Sequence, residues 1–77
     1  MNEQILGRVQ QIASDVLLTD VTPDSSAETV ESWDSVQHLN LILAIEEEYG
    51  FQFSPEEMES AKTVGQIAGL VSARRGV

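Results

Sequence analysis

Asp34, Ser35 and His38 place a carboxylate, a hydroxyl and the chain's one imidazole within five residues, the three group types that can activate a serine for acyl transfer. A working triad also needs a base oriented by a third group and an oxyanion hole aligned with a bound substrate. In 77 residues there is room for a core but not for an enclosed cleft, so the trio does not read as a hydrolase. A second chemistry fits better. Ser35 stands at the expected first position of a helix, where backbone N–H groups lack intrahelical partners and the helix dipole is positive, so an anion esterified to its hydroxyl would be stabilised there.

Other candidate sites are weaker. The segment from Asp20 through Pro23 and Asp24, with Glu31 at the twelfth position, partly resembles a calcium loop, but Ser25 occupies the sixth position, where the sharp turn needs glycine. Pro23 is also out of place, so no dedicated metal site is expected. The absence of cysteine excludes a disulfide frame and a thiolate metal site.

The elements that position Ser35 follow from periodicity. Ile5, Leu6, Val9, Ile12, Ala13, Val16 and Leu17 form an amphipathic stripe, predicting a first helix from about Glu3 to Leu18. From Thr19 to Asp34 the stripe gives way to a long Thr-, Asp- and Ser-rich loop, in which Val21, Val30 and Trp33 are the apolar residues available to pin it. Trp33 reads as a loop anchor, with an exposed role beside Ser35 as the alternative. Asp34 is the expected N-cap of helix 2, with Gln37 placed to complete a capping-box-like pair. Gly50 suits the left-handed residue that closes this helix after Tyr49, with Phe51 folding back on its last turn. Ser54-Pro55-Glu56-Glu57 opens a short third helix, and Thr63-Val64-Gly65-Gln66 opens a fourth ending near Arg74. The expected fold is all-α: a small four-helix bundle with a short third helix and a long loop between helices 1 and 2, forming one domain over residues 1–77.

Helix 2 has two apolar faces. At about 100° per residue, Leu41, Ile42, Ile45 and Tyr49 share the core arc, with His38 at its edge, beneath the loop. Val36, Leu39 and Leu43 lie opposite. This second stripe is covered by another helix, by a partner, or by nothing, and the flanking Glu46 and Glu47 count against burial all round. A narrow apolar strip with an acidic rim fits a partner whose basic residues surround a hydrophobic recess.

Thirteen acidic against four basic residues give a net charge of −9, which disfavours nucleic acid and anionic lipid as partners. No apolar run approaches the ~20 residues that span a bilayer. Met1-Asn2-Glu3-Gln4 lacks the basic-then-apolar pattern of a leader, so a cytoplasmic protein without membrane insertion is expected.

Together these residues resemble the acyl carrier proteins and the related peptidyl carrier domains. The resemblance runs through helix 1 and the loop to Asp34-Ser35-Val36, then the run Leu41-Ile42-Leu43-Ala44-Ile45-Glu46-Glu47-Glu48-Tyr49-Gly50, and closes with Thr63-Val64-Gly65-Gln66-Ile67. It implies a monomeric, non-enzymatic carrier in which Ser35 bears 4'-phosphopantetheine, transferred from coenzyme A by a holo-synthase that uses magnesium. It implies further that Asp34 supports the phosphate or the metal during loading. By the same resemblance Val36, Leu39, Leu43, Glu46 and Glu47 face the synthase and the acyl-transferring or condensing enzymes. Primary fatty acid carriers commonly have a glycine-containing approach and a leucine after the serine. Here Glu31-Ser32-Trp33 and Val36 stand instead, while His38 and Asn40 reduce the acidity of early helix 2, so the chain resembles a specialised carrier of a fatty acid, polyketide or lipid-modifying pathway. The alternatives are an aminoacyl carrier of a nonribosomal system and an acidic helical adaptor that carries nothing.

Overall fold

The computed structural model describes residues 3–75. Met1 and Asn2, read above for the lack of a leader, lie outside the described residues, as do Gly76 and Val77. The chain forms four helices, α1 (Glu3–Leu17), α2 (Ser35–Tyr49), α3 (Pro55–Ser60) and α4 (Val64–Arg75). The expected all-α bundle is what is found. Its single departure from helix and loop among the described residues is one isolated antiparallel bridge between Ser26 and Thr63.

The stripe on α1 becomes one wall of the core, with Ile5, Val9, Ile12, Ala13 and Leu17 buried against α2 and α4. The helix ends one residue earlier than its periodicity suggests. Leu18 takes φ 58°, and Thr19 N–H reaches back to Ser14 C=O at 3.2 Å, the closing bond of a left-handed helix end. Leucine in that conformation is unusual, and its side chain is left 87% exposed.

The cap signals differ in outcome. At α3, Ser54 Oγ accepts from Glu57 N–H while the Glu57 carboxylate accepts from Ser54 N–H, a complete capping box with Pro55 in the first turn. At α4, Thr63 Oγ1 accepts from Gln66 N–H, and Gln66 Oε1 accepts from both Lys62 and Thr63 N–H. At α2 only half of the expected pair exists: Asp34 Oδ1 accepts from Gln37 N–H at 2.8 Å, but Gln37 Oε1 accepts from Asn40 Nδ2 instead of reaching back to the cap. A side-chain partner three residues on replaces the backbone one. Gly50, at φ 71°, closes α2 as expected.

The long loop is stitched down at both ends and in the middle. Val21 and Trp33 are buried, and Val30 is half-buried against the same core. Gln10 Nε2 donates to Val21 C=O, Ser32 Oγ donates to Leu17 C=O, and Trp33 N–H donates to Val30 C=O. The loop also caps α4: Pro23 C=O accepts from Gly65 N–H at 2.9 Å and Ser25 C=O accepts from Val64 N–H at 3.1 Å. The approach is close enough that a Cβ on Gly65 would lie 3.1 Å from the Pro23 oxygen.

Among the described residues, two ion pairs join elements. Arg8 meets Glu48 at 2.9 Å between α1 and α2, and Arg74 meets Glu57 between α4 and α3, stacking 5.5 Å over the Phe51 ring as it does so. The Glu57 carboxyl is held below the usual carboxylate range by its bond from Arg74 first, and then by Ser54 N–H. Its contribution is therefore present above the unfolded carboxylate range and is lost as the pH falls through the lowered folded value.

Gly7 and Gly65, both helical, make a contrasting pair. Gly7, in α1, has open space where a Cβ would stand, so Gly7→Ala should stabilise the fold by about 0.5–1 kcal/mol through helix propensity. Gly65→Ala should show a smaller gain or a loss, because its methyl group meets the Pro23 carbonyl. Urea denaturation of the two variants checks this, and equal gains would show that the Pro23–Gly65 contact does not constrain the loop.

Candidate functional site

The loop delivers the chain to α2 through Trp33, whose indole is 3% exposed and whose Nε1–H needs an acceptor. His38 supplies it. Trp33 Nε1–H donates to His38 Nδ1 at 3.1 Å, which puts the imidazole proton on Nε2, and Nε2–H donates to Met58 C=O at 3.0 Å. The rings lie nearly parallel, 22° apart in plane with centroids 6.0 Å apart. One side chain thus ties the loop end, the first turn of α2 and α3 together. Both ring nitrogens are committed, so His38 has no lone pair to offer Ser35, and the trio of Asp34, Ser35 and His38 is not a nucleophile with its base. Trp33 is the loop anchor, not an exposed contact.

Ser35 is exposed at the first position of α2, and its hydroxyl makes no hydrogen bond among the described residues. Asp34 gives one carboxylate oxygen to the cap, and its backbone C=O accepts from His38 N–H. The N–H groups of Ser35 and Val36 have no partner among the described residues, whereas the corresponding donors of α4 are taken by the loop carbonyls of Pro23 and Ser25. A phosphate ester on Ser35 Oγ is therefore compatible with what surrounds it: a free hydroxyl, unpaired donors and the positive end of a four-turn helix. Beside it lies a recess of about 400 Å³ between the loop, α2 and α3, lined in part by Trp33, His38, Met58 and Ala61, with Lys62 in its wall.

Down the same helix the two faces separate as expected. Leu41, Ile42 and Ile45 are fully buried, while Val36, Leu39 and Leu43 are 66%, 51% and 49% exposed. Burial of α2 all round is thereby excluded. The two rim acids are not equivalent. Glu47 is exposed, but Glu46 is half-buried and its Oε2 accepts from Phe53 N–H at 2.7 Å, tying the turn after Gly50 to α2. That long-range bond had no signal in helical periodicity. Asp20, Asp24 and Glu31 line an open concavity of about 660 Å³ on the outer side of the loop, and no group of three potential metal ligands comes together among the described residues. No helix among the described residues is long and apolar enough to cross a membrane.

Comparison with known proteins decides what a free serine at this place belongs to. Residues 7–71 match the family described as "Phosphopantetheine attachment site". An acyl carrier protein of Thermosynechococcus vestitus is 36% identical over 76 residues, covering 94% of each chain. The chain belongs to the acyl carrier protein family. An acyl carrier protein of Rubrobacter xylanophilus is 35% identical over 72 residues, covering 90% of this chain and 89% of that one. The solution structure of the holo acyl carrier protein from Geobacter metallireducens superposes with a TM-score of 0.83 at 31% identity, over 94% of this chain and 86% of that one. Acyl carrier proteins are non-enzymatic, carry 4'-phosphopantetheine covalently, and interact with the synthase that loads it and with acyl-transferring enzymes. Membership sets aside the adaptor that carries nothing.

Replacing His38 by leucine should orphan the buried Trp33 N–H and the Met58 carbonyl, at a cost of about 1–3 kcal/mol in urea denaturation. The emission of Trp33, the chain's one tryptophan, should shift to the red in the folded state. Unchanged stability and emission would show that the bond chain does not hold the loop to α3.

Proposed function

We propose that Ser35 is the residue that bears the phosphopantetheine arm and that residues 1–77 act as one carrier domain. The observation that carries this is the unbonded Ser35 hydroxyl at a helix start whose first N–H groups are unpaired, inside the segment matching the attachment-site family. Loading forms a bond from Ser35 Oγ to the phosphorus of coenzyme A's phosphopantetheine as the pyrophosphate P–O bond breaks and the nucleotide bisphosphate leaves. The hydroxyl proton must go to a base on the synthase, since His38 is committed to Trp33 and Met58. The arm's terminal thiol then supplies the thioester on which an acyl group is carried. This chain's part is to present Ser35, hold the α2 start rigid through the Trp33–His38–Met58 bonds, and offer a docking surface.

That surface is the strip of Val36, Leu39 and Leu43, with Glu47 as its free acid and Asp34 beside the attachment point. Apart from the strip, the one large apolar side chain strongly exposed among the described residues is Leu18, which favours a monomer that meets its partners one at a time. Trp33 before the motif and Val36 after it favour a specialised fatty acid, polyketide or lipid-modifying pathway.

Incubation with coenzyme A and a broad-specificity holo-synthase should add one phosphopantetheinyl mass to the protein and none to Ser35→Ala, read by intact-mass spectrometry. A wild-type chain left unmodified by several synthases, or a modified Ser35→Ala chain, would overturn the assignment. The two rim acids should separate in a second experiment. Glu47→Lys should slow loading at low salt with stability unchanged, because it removes only surface charge. Glu46→Lys should also lower stability, by about 1–3 kcal/mol, because it orphans Phe53 N–H.

A further inference from the structure

We propose that Asn40, held by Gln37, is a specificity residue: it makes the middle of the docking strip an uncharged surface, which fits a partner whose recess is neutral there and carries its cations only at the two ends. This proposal rests on the docking reading above and names the chemistry of the surface that α2 meets.

The acids of this chain avoid one stretch. In a sequence of net charge −9, Glu28, Glu31 and Asp34 lead up to α2, and Glu46, Glu47 and Glu48 close it, but Ser35–Ile45 contains no acid and no lysine or arginine. Its one titratable side chain, His38, is half-buried, with both ring nitrogens bonded to Trp33 and Met58. Beyond Ser35, what this stretch exposes is Val36, Leu39, Asn40 and Leu43. Residues 36, 40, 43 and 47 follow the spacing of one helix face, so Asn40 stands inside the strip, between Val36 and Leu43.

Asn40 is also prepared for contact. Its Nδ2 donates to Gln37 Oε1 at 3.0 Å, which leaves Asn40 Oδ1 as an acceptor and Gln37 Nε2 as a donor with no partner among the described residues. Two side chains fixed against each other lose less freedom on binding than two loose ones. A donor and an acceptor side by side suit a partner's peptide group or amide side chain, which offers the complementary pair. A lysine or arginine pressed onto the same place would lose water and find a neutral carbonyl oxygen where it needs a carboxylate. Along α2, Asp34 and Glu47 lie about 9 Å and about 10 Å from Asn40 at the α-helical rise, beyond the Debye length of about 8 Å at physiological salt. Their charge therefore acts at the ends of the strip and is largely screened at its middle.

The test measures loading of Ser35 by a broad-specificity holo-synthase at low salt for the wild type, Asn40→Asp and Glu47→Lys. Asn40→Asp is isosteric, and Gln37 can turn its amide over to donate to the new carboxylate, so the pair survives while one charge is added. Each lysine and arginine of the synthase's docking groove is then replaced by glutamine in turn, giving a double-mutant cycle with residue 40. One groove position is expected at which Asn40→Asp prefers the cation and the wild type prefers glutamine. Each preference should be about two- to fivefold in KM, the range of an exposed ion pair, and the two should converge at high salt. No groove position coupled to residue 40, with Glu47→Lys still slowing loading, overturns the role of Asn40 and leaves the docking strip standing. A wild type that prefers the cation at the coupled position overturns the neutral fit. If neither Glu47→Lys nor Asn40→Asp alters loading, the docking reading itself falls and takes this proposal with it.

Discussion

A buried indole N–H must find an acceptor, and in this chain that requirement organises the functional end of the bundle. Trp33 sinks into the core to pin the end of a long loop, which strands its Nε1–H away from water. His38, one turn into α2, accepts that proton and passes the demand on to the Met58 carbonyl of α3. Loop, α2 and α3 are thereby held by two side chains, one backbone carbonyl and the two bonds between them. The N-terminus of α2 is aimed outward, the recess beside it acquires a non-polar floor, and the one imidazole is withdrawn from proton transfer. A carrier gains from that withdrawal, because an adjacent base able to activate water would threaten a thioester cargo.

The two ends of the bundle's helices are treated differently for a physical reason. The loop turns its carbonyls toward α4, so that Pro23 and Ser25 satisfy donors at that helix start and Gly65 must lack a side chain. The start of α2 receives only the Asp34 cap, leaving Ser35 and Val36 N–H open to an anion. The same helix divides its circumference between the core, at Leu41, Ile42 and Ile45, and the outside, at Val36, Leu39 and Leu43. Exposed leucine and valine contribute nothing to folding a monomer and are intelligible as contact area for a partner. Ser35, the exposed apolar strip and one wall of the recess are thus neighbouring features of α2.

Much of this was legible in the residue order. The α1 stripe, the Ser54 and Thr63 caps, Gly50 and the two faces of α2 each depend on neighbours within four residues, where spacing alone dictates which groups meet. Less legible was anything decided by competition. Gln37 had two possible partners and took Asn40 in place of the cap. Glu46 has the spacing of a rim acid, but the returning chain brought Phe53 N–H within 2.7 Å and converted it into a structural tie. Leu18 continues the apolar pattern of α1, yet the chain had to turn there, and the residue was left in solvent.

Sequence by itself determined the all-α class, the placement of Ser35 at a helix start, the strip opposite the core face, and the resemblance that family comparison then established. Those are properties of local periodicity and short motifs, and they hold wherever the helices happen to lie. Tertiary structure alone decided the role of His38 and the inequality of Glu46 and Glu47. Each of these depends on groups far apart in the chain being brought within bonding range, and only packing around a common core sets which of the available partners each polar group obtains.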